Sequence, residues 1–62
     1  MYGIRCITDS LVEWVTDNCH VESWQWTGDT FWMDDRKYAE DIVAGLISDG
    51  FVEGTDFERV SS

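Results

Sequence analysis

Residues 34–50, DDRKYAEDIVAGLISDG, decide how the rest of this 62-residue chain is arranged. Tyr38, Ala39, Ile42, Val43, Leu46 and Ile47 recur at spacings of three and four, one stripe along a helix, and predict a helix over about residues 35–48. Asp34 or Asp35 suits its N-terminus, where a carboxylate accepts from free backbone N–H groups and meets the positive end of the dipole. Gly50 fits the position just past the end, where glycine adopts a left-handed conformation readily. Arg36–Glu40 and Lys37–Asp41 stand four apart in the weaker orientation, worth roughly 0.2–0.5 kcal/mol at most. Gly45 costs the helix up to about 1 kcal/mol relative to alanine, and its size lets a neighbour approach closely.

Around this helix the pattern is mostly that of strands. Before it, SWQW and TFWM flank TGD, where Gly28 suits a short hairpin loop. Tyr2 to Ile7, YGIRCI, is rich in strand formers. After it, FVEGTDFERV reads as a closing strand, with Asp56, Glu58 and Val60 alternating with Phe57 and Arg59, and Gly54 marking a bulge or bend. Residues 9–18, DSLVEWVTDN, read two ways. As a strand, LVEWVT is β-branched and aromatic and DN turns the chain. As a helix, Ser10-x-x-Glu13 forms a capping box and Leu11, Trp14 and Val15 share a face. The strand reading is preferred, because so short a helix is marginal alone. The expected fold is a single α+β domain over residues 1–62, a small antiparallel sheet of three to five strands packed against one helix.

A domain of this size buries only about 60% of the surface its unfolded chain exposes. Large side chains must supply the core, and 15% of the residues are aromatic, including four Trp. Each buries roughly 150–250 Å², so most are expected inside. The segment SWQWTGDTFWMDD, residues 23–35, nevertheless sets Trp24, Trp26 and Trp32 beside Asp29, Asp34 and Asp35.

Thirteen acids stand against four bases, a formal net charge of −9. Nucleic acids and anionic membranes, both polyanions, are disfavoured as direct partners, and basic protein surfaces are favoured. With 44% hydrophobic residues and dispersed acids the chain does not read as a disordered tail. No glycine-rich phosphate loop, HExxH or EF-hand pattern is present. Cys6, Cys19 and His20 supply only three of the four ligands of a structural zinc site. No catalytic residue, metal or cofactor is therefore expected. A reduced pair of thiols is the default; a Cys6–Cys19 disulfide requires adjacent strands. No secretory signal or membrane span is expected, so the expected compartment is the cytoplasm.

The acids themselves carry the functional expectation. Alternate residues on a strand lie about 6.6–6.8 Å apart on one face, so Asp56 and Glu58 form a same-face pair, and Glu13 approaches Asp17 across a turn. The helix contributes Asp34, Asp35, Glu40 and Asp41. Neighbouring phosphates of one DNA strand lie about 7 Å apart, on an axial rise of 3.4 Å per nucleotide. A rigid row of carboxylates therefore suits a channel made for phosphates.

In GDTFWMDDRKYAEDIV (28–43) and EGTDFE (53–58), and in its length, acidity and β–helix–β layout, the chain resembles small phage-encoded inhibitors of host defence or transcription machinery, including anti-CRISPR proteins and other DNA mimics. The resemblance implies a non-catalytic protein that binds a basic, nucleic-acid-binding host protein and blocks its site, in the cytoplasm of an infected cell. The residues expected at that contact are Asp34, Asp35, Glu40, Asp41, Asp56 and Glu58, with Trp32 as an aromatic anchor. The rival expectation is an interaction module that uses an exposed aromatic sheet face. The sequence leaves monomer and homodimer open.

Overall fold

The computed structural model describes residues 1–19, 22 and 25–61. His20 and the Ser23–Trp24 half of SWQW lie outside the described residues. The element order is β1 (Tyr2–Cys6), α1 (Asp9–Asn18), β2 (Trp26–Thr27), β3 (Thr30–Met33), α2 (Arg36–Ser48) and β4 (Phe57–Ser61). The chain is α+β, and the four strands among the described residues form one antiparallel sheet in the order β2-β3-β1-β4.

The strand register fixes the two faces of the sheet. Ile4 lies opposite Phe31 on one side and Arg59 on the other, and Cys6 lies opposite Phe57. Paired residues share a face, so Ile4, Cys6, Phe31, Met33 and Phe57 point to the same side. There they join Leu11 and Val15 of α1 and Ile42, Val43 and Leu46 of α2 in one core. Both helices therefore cover the same face. Ile4, Leu11, Val15, Phe31, Leu46 and Phe57 are fully buried, each worth roughly 1.5–3 kcal/mol of transfer free energy.

Residues 9–18 correct the strand reading: they are helix α1. Thr8, rather than Ser10, is the N-cap, and its hydroxyl accepts from the Leu11 N–H at 3.3 Å. Local β propensity loses because β3 and β4 already occupy both sides of β1, so a strand here has no partner on it. A helix instead buries Leu11 and Val15, and tertiary burial of one face is what stabilises short helices.

The helix expected at 35–48 begins at Arg36, with Asp35 as N-cap accepting from Lys37 N–H at 2.9 Å and Tyr38 N–H at 3.4 Å. It ends in a Schellman arrangement. Gly50 has φ +95°, its N–H donates to Ile47 O at 3.0 Å, and the Phe51 N–H donates to Leu46 O at 3.0 Å. The buried stripe is narrower than its spacing predicts, because Tyr38 and Ile47 at its two borders are exposed. Gly28, with φ +61°, turns β2 into β3. The closing strand is shorter than FVEGTDFERV: residues 51–56 are a loop, and Gly54, with φ +92°, donates its N–H to Phe57 O at 2.7 Å.

Cys6 and Cys19 are free thiols. Burial, and secondarily the charge of Asp29, pushes the Cys6 thiol up to about 11. A thiol held neutral by the fold favours the folded state fully below the ordinary thiol value of 9.0, and that contribution is lost as pH rises toward 11. Unfolding midpoints are thus expected to fall between about pH 9 and pH 11, and Cys6→Ala is expected to flatten that fall relative to its own value at pH 8. Leu46→Ala is expected to cost about 2–5 kcal/mol, read by denaturant or thermal melting; an unchanged midpoint would mean that α2 does not anchor the core.

Candidate acidic interface

The structure separates the expected contact residues into those the fold uses and those it leaves to solvent. Asp35 caps α2. Glu40 receives the Arg36 Nε–H at 3.3 Å. Glu58 pairs with Arg5, its register partner on the open face of the sheet, where Arg5 also meets Asp29 at 3.6 Å. Asp56 precedes β4, so the expected same-face pair with Glu58 does not form. Its half-buried carboxylate accepts from the Val52 N–H at 2.9 Å and the Thr8 hydroxyl at 3.5 Å, while its backbone carbonyl accepts from the Ile7 N–H at 2.8 Å. Asp56 thus ties the end of β1 and the cap of α1 to the loop before β4. Asp34 and Asp41 are exposed.

Trp32 is half-buried on the sheet face opposite the helices. A Cβ at Gly3 would lie 2.8 Å from its Cε3 and 2.9 Å from Val60 Cγ2. The indole therefore lies across Gly3, a glycine required by close packing, on the face of the sheet opposite the helix that carries Asp41.

The acids that sequence reading did not assign to the contact lie on α1. Asp9, Glu13 and Asp17 are all exposed and stand four residues apart. On a helix that places them on one face, directly opposite Leu11 and Val15, about 6 Å apart and spanning roughly 12 Å. In the strand reading residues four apart are separated by about 13 Å along the strand and Asp17 falls in the turn after it, so an evenly spaced row of three did not register. The signal was the spacing itself, together with Leu11, Trp14 and Val15. Trp14 against Gly45 and Cys19 against Tyr38 set the two helices antiparallel, which brings Asp17 level with Asp41 on α2.

The bases are distributed the other way. The arginines hold Asp29, Glu40, Glu53 and Glu58, the Arg59–Glu53 contact being two-pronged at 2.7 and 3.0 Å. Glu53, and secondarily Glu40, raises the Arg59 guanidinium further above its ordinary value. Among the described residues, no Arg or Lys lies within ion-pair distance of Asp9, Glu13, Asp17, Asp34 or Asp41. The helical layer is thus the strongly acidic side, its own bases being Arg36, which is paired with Glu40, and Lys37.

This arrangement opposes helix stability. Like charges four apart cost roughly 0.2–0.5 kcal/mol per pair, Asp17 sits at the negative end of α1, and the last turn has no base. Comparison with protein-family models, with curated proteins and with solved structures finds no match.

Asp17→Lys is expected to stabilise the protein by about 0.5–1 kcal/mol, since it replaces repulsion with a favourably oriented Glu13–Lys pair and answers the helix C-terminus. Asp56→Ala is expected to destabilise it by about 1–3 kcal/mol, since the Val52 N–H loses its acceptor. Thermal melting of the two variants checks both signs.

Proposed function

We propose that the protein is a non-catalytic inhibitor that lays its acidic helical face on the basic groove of a nucleic-acid-binding protein and blocks access of nucleic acid. The observation that carries this reading is the row Asp9, Glu13 and Asp17, exposed at intervals of about 6 Å, close to the phosphate repeat of a nucleic-acid strand. Asp41 of α2, level with Asp17, extends the same side, and exposed Asp34, just before the α2 cap, adds to the uncompensated charge. Asp35, Glu40, Asp56 and Glu58 support the fold and are assigned no direct share of the contact. The resemblance to small acidic phage-encoded inhibitors of the anti-CRISPR or DNA-mimic kind supports the same reading and implies action in an infected cell.

The chain shows why such a face is tolerable. Its arginines stabilise the sheet, the start of α2 and the loop before β4, so the uncompensated charge gathers on one side. A basic partner would relieve the repulsion that the free protein carries, and electrostatic association of this kind is fast and salt-sensitive.

A second reading rests on the open face of the sheet, where Trp32 and Val60 are half-buried and neither helix packs. It makes the protein an interaction module, with homodimerisation as one form. Salt separates the two: for the acidic face, affinity for a purified nucleic-acid-binding partner is expected to fall tenfold or more between about 50 and 200 mM salt, and DNA or RNA is expected to compete. Simultaneous binding of nucleic acid without mutual weakening would overturn the mimicry, and indifference to salt would point to the Trp32 face.

A further inference from the structure

The two helices that carry the acids are held together at their seam by one aromatic side chain. Trp14 lies half-buried on the flank of α1 that faces α2. A Cβ at Gly45 would stand 3.2 Å from Trp14 Cη2 and 3.3 Å from Cζ2. The indole therefore fills the space that a side chain at position 45 would take. Its Nε1–H donates to the carboxylate of Asp49, the C-cap of α2.

That end of α2 is negative twice over, from the Asp49 carboxylate and from the helix C-terminus, and its last turn has no base. Across the seam, α1 carries Glu13 beside Trp14 and Asp17 one turn later. The two helices thus carry charge of one sign, Asp9, Glu13 and Asp17 on α1 and Asp41 and Asp49 on and at the end of α2, and the indole N–H donates across the seam between them. The other polar contact of the seam is of a different kind. The Cys19 thiol and the Tyr38 hydroxyl lie near each other there, and burial is the main cause raising the ionisation of both.

We propose that Trp14, Gly45 and Asp49 form a clasp working against electrostatic load: carboxylate repulsion acts to lift α1 from α2, and the seated indole holds it down. The seating of α1 is then sensitive to ionic strength. Its use in binding rests on the acidic-face reading: a polycation laid over the helices screens the repulsion and tightens α1, coupling partner binding to order in the face that is bound.

Residue-resolved amide exchange at 10 and 500 mM NaCl tests this in the wild-type chain, in Trp14→Phe, and in Trp14→Phe combined with Asp49→Asn. Phenylalanine keeps a ring in the Gly45 notch and removes the donor. The expected result is a loss of protection of at least tenfold at Val15 and Thr16 in Trp14→Phe at 10 mM salt, with Ile4 and Phe31 amides unchanged. Either 500 mM NaCl or the added Asp49→Asn is expected to recover most of that loss. Unchanged protection in Trp14→Phe overturns the clasp. So does a loss that neither salt nor Asp49→Asn corrects, because plain packing is indifferent to both. Should Trp14→Phe fail to fold, Glu13→Gln with Asp17→Asn in the wild-type background is expected to abolish the salt dependence of α1 exchange, and persistence of that dependence overturns the proposal. Decalysine added to the wild-type chain at 10 mM salt is the separate arm. Slowed α1 exchange supports the coupling; a clasp that answers to salt and not to decalysine stands, while the acidic-face reading fails.

Discussion

Burial against β1 is the constraint from which the rest of the structure follows. This strand lies between β3 and β4, and its Ile4 and Cys6 face both helices. Because its two neighbours exhaust its hydrogen-bonding edges, any further segment can meet it only face-on. A helix with one apolar stripe does this with all its backbone groups satisfied internally. The same burial that forces residues 9–18 to be helical also turns Asp9, Glu13 and Asp17 directly away from the core. The acidic row is in this sense a consequence of where Leu11 and Val15 must go.

Charge follows the same economy of position. Arg5 and Arg59 stand where they can staple the sheet and the loop before β4, and Arg36 sits on the first turn of α2 within reach of Glu40. Exposed pairs of this kind contribute about 0.2–1 kcal/mol each; their larger effect is on the charge map. They neutralise acids on the sheet and on the flank of α2 near Arg59, and leave the outward faces of the helices without counter-ions other than Lys37. A net charge of −9 is thereby expressed mostly on one side of a molecule of 62 residues, the property on which the proposed function depends.

How much of this was legible depended on whether the deciding contacts were local. Helix α2 was, since Ile42, Val43 and Leu46 repeat within two turns, Asp35 caps within three residues, and Gly50 closes it. The Gly28 turn was legible for the same reason. Helix α1 was not, because Leu-Val-Glu-Trp-Val-Thr satisfies strand propensity and what decides against it is non-local, the burial of Leu11 and Val15 on the face of the sheet. Once its type was misread, the spacing of its acids was misread with it. Asp56 and Glu58 show a second kind of illegibility. Alternation grouped them, yet Asp56 is held by Val52 and by Thr8, and Glu58 by Arg5, the last two partners 48 and 53 residues away. Gly45 was read as permitting a close neighbour, and the structure names it as Trp14.

The most direct measurement of the central claim compares two variants of equal net charge against one nucleic-acid-binding partner. One carries Asp9→Asn, Glu13→Gln and Asp17→Asn; the other carries three neutralised acids away from the helical face, Asp29→Asn, Glu53→Gln and Glu58→Gln. If the row on α1 mimics phosphates, the first variant loses at least tenfold in affinity and the second, once confirmed folded, stays within about threefold of the wild type. Equal losses in both would mean that net charge alone, and not the placement of carboxylates along α1, governs binding, and would contradict the account.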